Sequence, residues 1–271
     1  MHKNLVDQIV SALMQQNKRT LSEKIKLYEE IREKIEKNDA SVEEYIFTDA
    51  VTSIYTAGFS SETAEKYSGK LIKRFGLDLG MIIELGEEEL AKEIGMGKRK
   101  NKKVVKLCKD MVNSSEPTPF CRWVKRLHRG KSVFSLGPKS DEAFLKCLGY
   151  FTHFSVDILT SRFFERVGLL RYGTVKYDTF INPLGTDRYE RLRELMKKVY
   201  LEASGKTLRI NGKDYRLEDN LGIIDILVWL HCNENKKYEM DSVCRGRDPM
   251  CEECYVKKAC EFWKRHRSRQ R

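Results

Sequence analysis

Long apolar runs are missing from this 271-residue chain. The longest, Leu221 to Leu230, is interrupted by Asp225, and a bilayer span takes roughly 20 apolar residues. The leading stretch MHKNLVDQIVSALMQQNK lacks the continuous apolar core of a secretory signal. No internal repeat, low-complexity tract or heptad seam is visible, which argues against solenoids and coiled coils. A soluble, intracellular, monomeric protein is expected, with no membrane partner. Such a compartment is reducing, so clustered cysteines point to metal rather than to disulfides. Hydrophobic residues at 41% and aromatic residues at 10% exclude wholesale disorder.

Negative charge is in short supply. Lys and Arg number 51 against 40 Asp and Glu, a formal net charge of +11. One basic block holds Lys98, Arg99, Lys100, Lys102, Lys103 and Lys106. A second holds Arg122, Lys125, Arg126, Arg129 and Lys131 around Trp123, and the tail from Lys264 to Arg271 is basic again. Any one block suits a solvated helix face. Several blocks, with acid concentrated in the first 65 residues and around 83–92, suit a phosphate backbone. Nucleic acid is the expected partner.

Apolar residues at three- and four-residue steps predict an all-α, mainly helical fold. Helices are expected over 4–36, 42–56, 60–75, 87–95, 100–113, 118–129, 138–151, 156–168, 186–203 and 220–232. Ser41 and Glu44 read as a capping box. The exception is 207–217, where Asn211-Gly212 between short alternating runs predicts a small β-hairpin. The basic tail beyond Arg265 is expected to be loose.

A second close pair of cysteines is also absent. Cys244, Cys251, Cys254 and Cys260 are separated by six, two and five residues. Four thiolates so crowded can hold a tetrahedral zinc or a cubane cluster. Common structural zinc sites use two close pairs, so the single close pair favours [4Fe–4S]. Cys108, Cys121, Cys147 and Cys232 are scattered, and Cys147, on an apolar helical face, reads as buried filler.

A junction between two helices lies at Val133-Phe134-Ser135-Leu136-Gly137-Pro138-Lys139. Gly137 can adopt a conformation barred to other residues, and Pro138 suits the first turn of a helix. Free amides there can grip a phosphate. An ordinary helix connection is the plain alternative.

Hairpin and cysteine run together resemble the endonuclease III family of base-excision DNA glycosylases, in the helix–hairpin–helix superfamily. The likeness covers roughly residues 45–262. Lys139 falls at the family's lysine, Val156-Asp157 at its aspartate motif and Arg162 at its arginine. The resemblance implies two lobes: a helical barrel at 42–155, and a cluster-bearing lobe from 1–41 and 156–271. It also implies double-stranded DNA with a damaged base or abasic site as partner, and a [4Fe–4S] cluster on Cys244, Cys251, Cys254 and Cys260. DNA contacts are expected from Ser135, Gly137, Arg162, Arg245, Arg247 and Lys257. Ser135 replaces the family's first hairpin glycine, Leu159 replaces a histidine, and the glutamine that fills the gap left by an extruded base is not evident. Tyr55 is a candidate substitute, with burial in the core as its alternative.

The chemistry needs an amine and a carboxylate. Breaking a base–sugar bond builds positive charge on the sugar, which a carboxylate stabilises, while an amine can attack the carbon. Lys139 and Asp157 supply one of each. The implied activity is a bifunctional glycosylase and abasic-site lyase acting through a Schiff base. A monofunctional mismatch or oxidised-purine glycosylase, or a binding protein without chemistry, are the alternatives.

Overall fold

In a computed structural model, the structure describes residues 2–56, 59–114, 117–132, 134–170, 193–194, 196–198, 206–233, 242–245 and 249–270. The chain divides into two compact units, Tyr28–Tyr150 and Met1–Leu27 with Phe151–Arg271. The boundary falls inside the first helix, α1 (His2–Glu36), rather than after it as expected at 41/42. The other boundary falls at 150/151 rather than 155/156.

In the unit Tyr28–Tyr150, α2 (Glu43–Thr56) is the hub. Its Ile46, Phe47, Ala50, Val51, Ile54 and Tyr55 recur at helical steps and are all buried. Around them pack α3 (Ser61–Phe75), α5 (Lys98–Val112), α6 (Pro119–His128) and α7 (Pro138–Cys147). α4 (Leu79–Ile94) packs along α5. Each fully buried large apolar side chain is worth about 1.5–3 kcal/mol, so this core outweighs any surface ion pair. Phe47 meets Phe120 at 5.2 Å between ring centroids, and Trp123 meets Phe144 at the same distance. Trp123 is therefore core, not an aromatic interleaved with the basic surface.

Local signals explain most of the ends. Asp39, not Ser41, is the cap before α2: its Oδ1 accepts the Ser41 amide at 2.8 Å. Glu43 is buried and accepts the amides of Phe120 and Cys121 at 2.9 and 2.8 Å, capping α6 across 77 residues of chain. α4 starts earlier than expected because Asp78 caps it through the Met81 amide. It is broken at Gly86 (φ 66°, ψ 178°), which hid its first half from the periodicity. α7 ends at Cys147 instead of 151. Gly149 (φ 86°) follows, and a Cβ there would lie 2.3 Å from the Tyr28 carbonyl oxygen.

The other unit holds α8 (Ile158–Arg166), β1 (Thr207–Ile210), β2 (Lys213–Arg216), α9 (Leu221–Cys232) and α10 (Glu261–Gln270). The strands are antiparallel with Leu208 opposite Tyr215 and Ile210 opposite Lys213. Asn211 (φ 53°) and Gly212 (φ 80°) are both left-handed, as a two-residue hairpin turn requires. The apolar run Leu221–Leu230 is explained by α9, which is buried on nearly every side. No helix among the described residues is long and apolar enough to cross a membrane. α10 corrects the expectation of a loose tail: residues through Gln270 are helical. The helix expected at 186–203 falls largely outside the described residues.

Candidate active site and cysteine centre

The hairpin between α6 and α7 is built from its own side chains. Gly137 adopts φ 113°, ψ 152°, a backbone region that favours glycine. Asp141, one turn into α7, reaches back: its Oδ1 accepts the Leu136 amide at 2.8 Å, and Oδ2 accepts the Ser135 hydroxyl. The Ser135 Oγ in turn accepts the Gly137 amide at 3.0 Å. Burial lifts the Asp141 carboxyl above its usual range, against the hydrogen bonds from Ser135 and Leu136. The Gly137 amide and the Ser135 hydroxyl, both at expected DNA contacts, thus have internal partners, as does the Leu136 amide. No side chain caps α7, so the donors left open at its start are the amides of Lys139 and Ser140.

Lys139 is exposed at the second position of α7. Among the described residues its ammonium makes no ion pair or hydrogen bond.

In the other unit, Asp157 is the half-buried N-cap of α8. Its Oδ1 accepts the Thr160 amide at 2.9 Å and the Thr160 hydroxyl at 3.0 Å. No hydrogen bond to Oδ2 is found among the described residues, which leaves one carboxylate oxygen for other work. Asp225, buried in α9, holds this turn from behind. It accepts the Ser155 amide at 2.9 Å and hydroxyl at 3.1 Å, and the Thr160 hydroxyl at 3.4 Å. Asp225 was visible in the sequence only as an interruption of an apolar run; nothing local marked it as the support of Asp157. Lys139 and Asp157 belong to different units.

The four cysteines are brought together. Cys244, Cys251, Cys254 and Cys260 line one small apolar cavity, walled by Phe163, Val243, Val256 and Trp263 among others. Arg166 Nη1 donates to the Cys244 sulfur at 3.3 Å, and Cys254 Sγ lies 3.5 Å from His231 Nε2. Backbone amides of Val256, and of Trp263 and Phe262, bond to Cys254 and Cys260. Burial pushes the Cys254 thiol up to about 12. The Cys244 thiol is lowered, first by a hydrogen bond from Cys232 and then by Arg166. Among the described residues, no three His, Cys, Asp or Glu side chains converge tightly enough to hold a single metal ion. A zinc ion needs four sulfurs at about 2.3 Å from one point. Four thiols around one apolar cavity, with N–H donors aimed at sulfur, are a donor set of the kind an iron–sulfur group uses. Cys232 was only one of four scattered cysteines in the sequence, and its link to Cys244 had no sequence signal.

The remaining expected DNA contacts have protein partners. Arg162 Nη2 donates to the carbonyls of Cys232 and Cys244 at 3.4 and 3.2 Å. Arg245 Nε donates to the Ser242 carbonyl at 3.0 Å, and Lys257 Nζ to the Glu252 carbonyl at 2.6 Å. Arg247 lies outside the described residues. Tyr55 is not a wedge: it is fully buried and donates to Asn101 Oδ1 at 2.7 Å. Nearby Phe59 is exposed instead, with the Lys100 ammonium 4.3 Å from its ring centroid. Lys100 also donates to the Tyr55 carbonyl. Burial, and then Lys103, holds its amine down at about 8.

A family model described as HhH-GPD superfamily base excision DNA repair protein matches residues 51–269. No curated protein matches the chain in sequence. Among solved structures, the 8-oxoguanine DNA glycosylase of Thermotoga maritima is similar at 18% identity and a TM-score of 0.48. That match covers 84% of this chain and 96% of the other.

Proposed function

Because this chain belongs to the HhH-GPD superfamily of base excision DNA repair proteins, with DNA as its substrate, we propose that it is a bifunctional DNA glycosylase and abasic-site lyase. Its target is a damaged, oxidised base extruded from the duplex. The observation that carries this reading is the exposed ammonium of Lys139 at the mouth of the hairpin, which no group among the described residues neutralises.

Asp157 then has two jobs. One oxygen caps α8; the other faces the positive charge that develops on the sugar as the base leaves. The Lys139 amine, its proton lost to solvent, attacks the sugar carbon, and the base–sugar bond breaks. The base leaves with a proton, and opening of the sugar's ring C–O bond gives the Schiff base. Loss of a proton from the neighbouring carbon expels the 3′ phosphate and nicks the strand. The exposed ring of Phe59 offers a stacking surface to an unpaired base.

Cys244, Cys251, Cys254 and Cys260 would hold a [4Fe–4S] cluster. When bound, the group cross-links a loop that carries little other regular structure, and glycosidic cleavage needs no electron from it. Arg166 and the amides around Cys254 and Cys260 support this reading, since they offset charge on sulfur.

A panel of duplexes, each with one damaged base, tests the proposal. Base release is scored after hot alkali, which cuts every abasic site, and nicking is scored without it. Lys139→Ala is expected to lose nicking without alkali, and Asp157→Asn to lose release. Absence of both activities in the native protein on every duplex would overturn the reading in favour of a binding protein.

A further inference from the structure

Cys232 lies outside the four-cysteine run, yet it is the last residue of α9 and fully buried against Cys244. The two are fixed together by backbone as well as side chain. One nitrogen of Arg162 donates to both their carbonyls, and the Cys244 amide donates to the His231 carbonyl at 3.0 Å. Each side chain shifts the other's thiol, Cys232 upward and Cys244 downward. Cys244 lines the cavity and Cys232 does not. So one thiol of the pair meets what enters the cavity, and the other waits behind it.

We propose that Cys232 and Cys244 close an intramolecular disulfide when the cluster is destroyed by peroxide, withdrawing one ligand and blocking reassembly until a thiol reductant acts. The inference rests on the cluster reading given above. The chemistry balances without a further reactant. The Cys244 sulfur attacks one peroxide oxygen, the O–O bond breaks, and the departing hydroxide takes up a proton as water. The Cys232 sulfur then attacks the sulfenic sulfur of Cys244, the S–O bond breaks, and a second water leaves. The two sulfurs supply the two electrons that reduce the peroxide. Cys232 needs no access to solvent, because only Cys244 meets the oxidant. Arg162 and the bond from the Cys244 amide to the His231 carbonyl hold the two backbones side by side, as a disulfide requires.

The test uses the full chain purified without air, with iron and sulfide measured first. Hydrogen peroxide is added until visible absorption is lost; free thiols are alkylated and the protein is cut with trypsin. Cys232 and Cys244 then fall in different peptides, LEDNLGIIDILVWLHCNENK and YEMDSVCR. The expected result is a cross-link between these two, missing in Cys232→Ser. The oxidised native chain should fail to take up iron and sulfide until dithiothreitol is added. Cys232→Ser should rebuild its cluster without the reductant. Cys232 recovered as the alkylated thiol, or disulfides confined to Cys251, Cys254 and Cys260, would overturn the inference. Native protein free of iron and sulfide at the first step would overturn the cluster reading instead, a result read before any oxidation.

Discussion

Asp157 caps α8 and, in the proposed function, also serves the chemistry, and substitution can separate the two duties. Asparagine caps a helix about as well as aspartate, whereas alanine costs roughly 1 kcal/mol. Asp157→Asn should therefore unfold at nearly the native urea midpoint, and Asp157→Ala at a lower one. Both should lose base release by at least about a hundredfold, the scale set by removing a charge-stabilising group. Equal activity of Asp157→Asn and the native protein would leave only the cap. Asp49 on α2 carries a pH dependence of opposite sign to most carboxylates. Its Oδ2 is buried without a hydrogen-bond partner among the described residues, and burial raises its pKa to about 7. An unfolded aspartate titrates near 3.9. Between these values the folded chain binds a proton that the unfolded chain does not, so stability falls as pH rises from about 4 to 7. Asp49→Asn should be more stable than the native protein at pH 8, by about 1 kcal/mol or more. The gap should shrink toward zero near pH 4 in urea unfolding.

At the level of elements, two glycines around α7 separate strain from collision. Gly137 holds φ 113°, and a Cβ there meets no atom within 4 Å. Gly137→Ala should cost about 1–3 kcal/mol from backbone strain alone. A Cβ on Gly149 would lie 2.3 Å from a backbone oxygen that cannot swing aside. Gly149→Ala should therefore be the more destabilised of the two in denaturant melts, and the reverse order would contradict the packing described. Helix periodicity and the Asn211-Gly212 turn were legible in the sequence because they depend on residues a few positions apart. Glu43 capping α6, Asp141 filling the hairpin and Asp225 bracing Asp157 were not. Each acts on a group brought near by the fold, and a buried carboxylate has no pattern until its partners are known. Gly86 hid the start of α4 for the opposite reason, a local break inside one element.

Across the whole molecule, charge and cysteine spacing carried the functional reading further than any single helix. The net charge of +11 implies binding that weakens with salt, by about 0.9 log units per log unit of salt for each phosphate neutralised. The cysteines were readable as a candidate centre because four of them lie within 17 residues. Cys232 was not, because α9 delivers it from outside that run. The central claim is that Lys139 becomes covalently joined to DNA. Borohydride reduction in the presence of abasic-site duplex tests it most directly, since it freezes a Schiff base as a stable amine. Native protein should give an adduct mapping by peptide mass to Lys139, and Lys139→Ala should give none. An undiminished adduct in Lys139→Ala, or no adduct in a native protein that still releases bases, would contradict it.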